Sequence, residues 1–157
     1  MTGGFFAHIL VVAVGGLMLL AAFTDVKRRQ IDNWLNAAIA LLAPLFWWAN
    51  GYALWPDMAI QLAIGLAVFA AFAMMFALGA MGGGDVKMLG ALALWLPLGE
   101  LFTMLFIMAI AGGVLTAAML VHHKIRKSQT NIEVPYGVAI AAGGLWVMTQ
   151  PYLNHFA

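Results

Sequence analysis

Two carboxylates stand where a chain this apolar has least reason to keep them. Asp85 follows three glycines in the run Ala80-Met81-Gly82-Gly83-Gly84-Asp85-Val86-Lys87, and Asp25 closes a long apolar stretch just ahead of Lys27, Arg28 and Arg29. An ionised side chain near a bilayer is costly, and three successive glycines are expected to break a helix, so local packing needs neither feature. Two carboxylates brought together in a low-dielectric pocket cannot both ionise cheaply and share a proton. One can then activate water while the other protonates or polarises a carbonyl. That is the chemistry of peptide hydrolysis by an aspartic dyad, and it calls for no metal and no cofactor. Gly82, Gly83 and Gly84 would let a substrate backbone approach Asp85 without side-chain collision. Lys87 either steers an acid of the substrate, tunes Asp85, or snorkels to the interface as an anchor. Blander roles exist for both acids. Asp85 is placed to be a helix N-cap, and Asp25 to be a solvated interfacial acid, offset by its basic neighbours at the negative end of a helix dipole.

The elements that must bring these acids together are membrane spans. Hydrophobic residues make up 65% of the 157 and charged ones 8%, mean hydropathy is +0.98, and apolar runs recur near the roughly 20 residues that cross a bilayer. The expected fold class is an all-α integral membrane protein of about six transmembrane helices, forming one membrane-embedded domain over residues 1–157. Low charge without a basic tract argues against a nucleic-acid partner. The absence of cysteine excludes disulfides and thiolate-bound zinc.

The first run, Phe5 to Thr24, has basic residues after it and none before it, the wrong polarity for a cleaved signal, so a retained span is expected. Asp32 or Asn33 is placed to cap a second helix, Trp34 to Trp48. Trp47, Trp48, Tyr52 and Trp55 surround the turn Asn50-Gly51, as aromatics do at a membrane boundary. A third span runs from about Met58 to Leu78, and Gly79 with Gly83 makes a small-xxx-small pair suited to close helix contact. The segment after the glycines reaches only Leu96 or Leu98 before Pro97, Gly99 and Glu100 interrupt it. It is roughly thirteen residues, about 20 Å as helix, against a hydrocarbon core of about 30 Å. If the far end of this segment reaches the outer interface, its shortness predicts an Asp85 recessed below the cytoplasmic face, on non-helical backbone lining a wet or protein-enclosed cavity. Spans over Leu101 to Val121 and about Val134 to Tyr152 complete the set, the last ending near a second outward aromatic group, Trp146 and Tyr152. Six crossings place all 7 Lys and Arg (Lys27, Arg28, Arg29, Lys87, Lys124, Arg126, Lys127) on the cytoplasmic side, with both termini outside. Asp25 and Asp85 then share the inner face.

Three stretches carry a family resemblance, in order and over nearly the whole chain. Gly82-Gly83-Gly84-Asp85-Val86-Lys87 resembles the GxGD motif of the type IV prepilin and preflagellin peptidases, which are intramembrane aspartic proteases. Asp25-Val26-Lys27-Arg28-Arg29-Gln30-Ile31-Asp32-Asn33 is similar to the segment around that family's first aspartate, commonly D-x-x-x-R-x-I-P-N. Val134-Pro135-Tyr136-Gly137-Val138-Ala139-Ile140 resembles its final-span signature. Presenilin-like proteases share GxGD but are much larger and lack the first segment. The resemblance implies Asp25 and Asp85 as catalytic residues, Gly82, Gly83, Gly84 and Lys87 beside the substrate, and a bacterial cytoplasmic membrane as the location. It further implies a pilin-like precursor as partner, whose apolar helix enters laterally from the bilayer and whose short basic leader is removed at the cytoplasmic face, after a glycine. Two departures stand out. Asp32 replaces the usual proline before Asn33, adding a third acid near the dyad. The cysteine-bearing insert of longer, bifunctional members is missing, so methyltransferase activity is not expected. The size is that of the compact members serving tight-adherence pili.

Other polar residues carry less. His122 and His123 are adjacent on a helix and point apart, so no metal site is expected. His8 and His155 read as interfacial, Glu133 as a contact of the basic loop, and Glu100 as an outer-face residue. The rival functional class is a small proton- or ion-coupled transporter or channel subunit, in which membrane acids form a relay. It predicts polar residues through the depth of the spans, where this chain has almost only Ala, Leu, Val, Phe, Met and Gly. A non-catalytic assembly protein would leave Asp25 and Asp85 idle.

Overall fold

Helix ends decide where the two acids stand, and most of these ends have a local cause. A computed structural model describes residues 2–126 and 134–153. Lys127, Glu133 and His155, and the side chain of Tyr152, lie outside what it describes. The elements are α1 (Thr2–Arg28), α2 (Asn33–Ala49), a single π-turn (Leu54–Met58), α3 (Ala59–Ala77), α4 (Gly83–Ala93), α5 (Leu98–Arg126) and α6 (Tyr136–Leu153). Among the described residues there is no strand.

Two of the ends use glycine in the left-handed region. At the end of α2, Gly51 (φ +73°) donates to Trp48 O and Tyr52 to Trp47 O. At the end of α3, Gly79 (φ +73°) donates to Phe76 O and Ala80 to Met75 O. Both are Schellman motifs, in which the two residues past the helix satisfy its last free carbonyls. Gly79 is thus a helix stop and not a close-contact residue: a Cβ placed on it would meet nothing within 4 Å. α1 ends on the simpler left-handed cap, with Arg29 at φ +55° and its N–H 2.8 Å from Asp25 O.

The short helix α4 is the hub. It packs against α2, α3 and α6, while α1 lies against α2 and α6, and α5 against α6. Met88, Leu89 and Leu92 of α4 are fully buried with Met18 of α1, Leu35 and Ile39 of α2, Met104 of α5 and Ile140 of α6. With 11 residues α4 is about 16 Å long, shorter than the thirteen-residue segment expected and far short of a bilayer. A helix ending inside an apolar bundle leaves carbonyls that water cannot reach. Side chains from the flanking helices satisfy them. Gln61 Nε2 of α3 donates to Ala93 O at 2.8 Å and Leu96 O at 2.7 Å, and Trp47 Nε1 of α2 donates to Leu94 O at 2.8 Å. Trp95 Nε1 donates back to Ile39 O at 2.9 Å. Trp47 is therefore a buried fastener and not a boundary aromatic, whereas Trp48 and Trp55 are exposed as expected of that role.

The outer surfaces are apolar. Val12, Leu41, Phe102, Phe106 and Val114 are all more than 60% exposed, a belt that water would not tolerate and lipid would. Among the described residues, three helical stretches, Gly4–Arg28, Leu54–Ala77 and Leu98–Ile125, are long and apolar enough to cross a membrane. α5 begins directly after Pro97, so Gly99 and Glu100 form its first turn instead of interrupting the chain.

Candidate active site

Asp25 and Asp85 reach the same cavity from opposite ends of the sequence. Asp25 lies in the last turn of α1 and Asp85 in the first turn of α4, with 5% and 9% of their surfaces exposed. Two adjoining cavities of about 350 and 360 Å³ share Asp25, Arg29, Gly82 and Asp85 as lining.

The Asp25 carboxylate is held by a backbone donor. Gly137, at the start of α6, donates its N–H to Asp25 Oδ2 at 2.8 Å, across 112 residues of sequence. A Cβ at Gly137 would stand 2.8 Å from that oxygen and 2.8 Å from Ile31 Cδ1, so the third motif supplies a residue that only glycine fits without displacing its partners. The Asp85 carboxylate lies against the Gly82 backbone, a Cβ built on Gly82 falling 2.9 Å from Asp85 Oδ2. Gly82 is the N-cap of α4 and Asp85 its third residue, so the acid stands in the first turn beside the cap. The expectation of non-helical backbone at Asp85, and of a helix broken by its glycines, is corrected here. Gly83 and Gly84 form the first helical turn, which the bond from Val86 N–H to Gly82 O at 3.2 Å closes.

The three glycines serve different neighbours. A Cβ on Gly82 would come 2.9 Å from Asp85 Oδ2, and one on Gly83 3.3 Å from the Phe76 ring. A Cβ on Gly84 would lie 3.2 Å from Ile31 Cβ, and its carbonyl accepts Asn36 Nδ2 at 3.1 Å. Gly84 is thus closed against the α1–α2 connection on its Cβ side, and all three glycines line the acid cavity.

Of the other sequence candidates, Asp32 lines the acid cavity as a third acid and Lys87 falls elsewhere. Lys87 Nζ donates to Asn33 Oδ1 at 2.8 Å and lines a different, lateral groove. Asp32 is the N-cap residue of α2 but makes no side-chain cap bond. Instead its Oδ2 accepts Arg28 Nη2 at 2.6 Å, an exposed pair that stitches the α1–α2 connection. The capping role expected of Asp32 or Asn33 is taken by neither side chain, because each is engaged by a cation.

Arg29 is the site residue that charge counting passed over as a membrane anchor. It holds a left-handed backbone conformation, disfavoured for a side chain, and it lines both acid cavities. The signal was present as the arginine four residues after Asp25 in the first motif.

A comparison with protein families matches residues 12–117, more than half of the chain and including both aspartates, to the type IV leader peptidase family. The chain belongs to that family. A leader peptidase is a hydrolase of peptide bonds, in keeping with a cavity that presents two carboxylates and an arginine at the end of an apolar bundle. No curated protein and no solved structure matches the chain.

Proposed function

We propose that the protein is an intramembrane aspartic endopeptidase that removes the short basic leader of a pilin-like precursor at the cytoplasmic face of a bacterial inner membrane. The observation that carries this reading is the meeting of Asp25 and Asp85, both buried, in the lining of one cavity of a leader peptidase family member. The proposed topology is six crossings with both termini outside. It is supported by helix ends gathered at the acids: those of α1, α2, α3, α4 and α6 meet there through Asp25, Asn36, Phe76, Gly84 and Gly137.

The chemistry runs on one shared proton. The ionised carboxylate removes a proton from a water, whose oxygen attacks the scissile carbonyl carbon while the other carboxyl gives its proton to the carbonyl oxygen. Collapse of the tetrahedral diol expels the amine, which takes a proton from the first carboxyl while a diol hydroxyl returns its proton to the second, so the dyad again holds one proton. Gly137 N–H fixes one oxygen of Asp25 and so orients the other. Gly82 and Gly83 leave room for the substrate backbone. Short α4 supports placement of the dyad below the lipid surface. Gly112 of α5 lies against Tyr136 and Ala139 at the start of α6, and α5 continues through mostly apolar residues to Val121, about 14 Å further along its axis.

The test is cleavage in liposomes. With a matched pilin-like precursor, mass spectrometry of the products should find the basic leader and the trimmed protein, the cut lying after a glycine. No leader released from any pilin-like precursor, with the protein folded and correctly inserted, would refute the reading.

A further inference from the structure

A second groove, of about 390 Å³, lies on the other side of Gly84, with α4 as its floor and α2 and α3 as its walls. Gly90, Ala91 and Leu94 form the floor, Ala37 and Ala40 one wall, and Leu62, Leu66 and Phe69 belong to the other. Its walls stand apart because α2 and α3 each pack on α4 and hardly on one another. α3 comes down tightly on α4, since a Cβ on Gly90 would stand 3.0 Å from Phe69 Cβ and one on Gly65 would collide with the Leu94 side chain.

One end of this apolar groove is polar. Asn33 and Lys87 are bonded to each other there, and Asn36 lines the wall beside them. Asn36 is 96% buried by its relative exposure of 4%. Its amide nitrogen is committed to Gly84 O, which fixes the orientation of the amide and leaves Oδ1 buried with no partner. A buried acceptor without a donor costs about 1–3 kcal/mol, and none of the chemistry proposed above uses this one. Asn33 lines both this groove and the acid cavity, so the two adjoin at that residue.

We propose that the groove receives the first turns of the precursor's apolar helix, with Asn36 Oδ1 accepting one of that helix's free backbone N–H groups. This rests on the peptidase reading and identifies where that substrate sits. The first four N–H groups of any helix lack intrahelical acceptors, and in a bilayer water does not supply them. A helix that begins just beyond the scissile bond brings such donors to the level of Gly84, where a small displacement of the groove's side chains opens Oδ1, closed to solvent in this structure, to one of them. Its apolar side chains then pack on alanine and glycine, residues small enough to admit a second helix backbone. The extended residues ahead of it pass Asn33 into the acid cavity.

The experiment uses Ala37→Phe, at an exposed position of the groove wall, with Val12→Phe on the lipid-facing side of α1 as control. Both are assayed in liposomes with a precursor that the unmodified protein cleaves. The expected result is a KM raised at least about tenfold by Ala37→Phe, kcat within about twofold, and no change for Val12→Phe. A photo-crosslinker at position 37 in the Asp85→Asn background should capture the precursor, and one at position 12 should not. An unchanged KM for Ala37→Phe, or crosslinks from position 37 to lipid alone, would overturn the groove assignment while leaving the peptidase reading intact. Failure of the unmodified protein to cleave any precursor would instead remove the peptidase reading and this inference with it.

Discussion

Arg29 shows how a single residue can serve the site at the expense of the fold. Its left-handed backbone costs an L-residue about 1–2 kcal/mol, against about 0.5–1 kcal/mol of chain entropy lost by glycine in its place. Arg29→Gly should leave thermal stability in detergent equal or slightly raised while slowing precursor cleavage at least about tenfold, since the guanidinium leaves a cavity it shares with both acids. Reduced stability with unchanged cleavage would show the residue to be a helix stop only. Gly137→Ala makes the complementary case. The added methyl displaces the Asp25 carboxylate from 2.8 Å away, and misplacement of about 1 Å costs on the order of 10²-fold in rate. Initial rates on the purified variant, with circular dichroism to verify folding, check this. Asp25 and Asp85 were legible in the sequence because an acid in an apolar run has few alternative explanations. Arg29 and Lys87 were not separable there. Both are basic residues beside an acid, and only the direction taken by each side chain sends one to the acid cavity and the other to Asn33.

At the scale of elements, the short helix α4 depends on side chains that end it inside the bundle. Gln61 alone satisfies the carbonyls of Ala93 and Leu96. Gln61→Leu keeps the volume and removes both bonds, so each unmet buried carbonyl should cost about 1–3 kcal/mol, and unfolding in detergent should occur at markedly lower denaturant or temperature. A variant as stable as the parent would mean that the carbonyls find other partners. Helix existence was readable from apolar run length, and the shortness of α4 from the position of Pro97. Its start was misread because glycine propensity alone forbids it. The packing of Gly84 on Ile31, and the bond from Asn36 Nδ2 to Gly84 O, are tertiary gains that propensity does not contain. Trp47 was misplaced for a similar reason: a tryptophan near a turn resembles a boundary residue until its indole N–H is seen to cap Leu94.

At the scale of the whole molecule, the alternation of long and short helices puts a polar cavity at one end of an otherwise lipid-compatible bundle. The chain has no cysteine, so single cysteines report topology directly. Gly51→Cys, in the turn after α2, should react with a membrane-impermeant thiol reagent from the outer side, and Ala80→Cys, which lines the acid cavity, from the cytoplasmic side. Labelling of both from one side would refute the proposed crossings. The central claim is that Asp25 and Asp85 act as one dyad on a precursor's peptide bond. Its most direct measurement is the initial cleavage rate of a matched precursor by the parental protein, Asp25→Asn, Asp85→Asn and the double variant in liposomes. The account predicts that each single variant loses at least about 10²–10⁴-fold and that the double variant loses little more, because either loss disables the shared-proton step. A single variant that still releases the leader at the parental rate would contradict it.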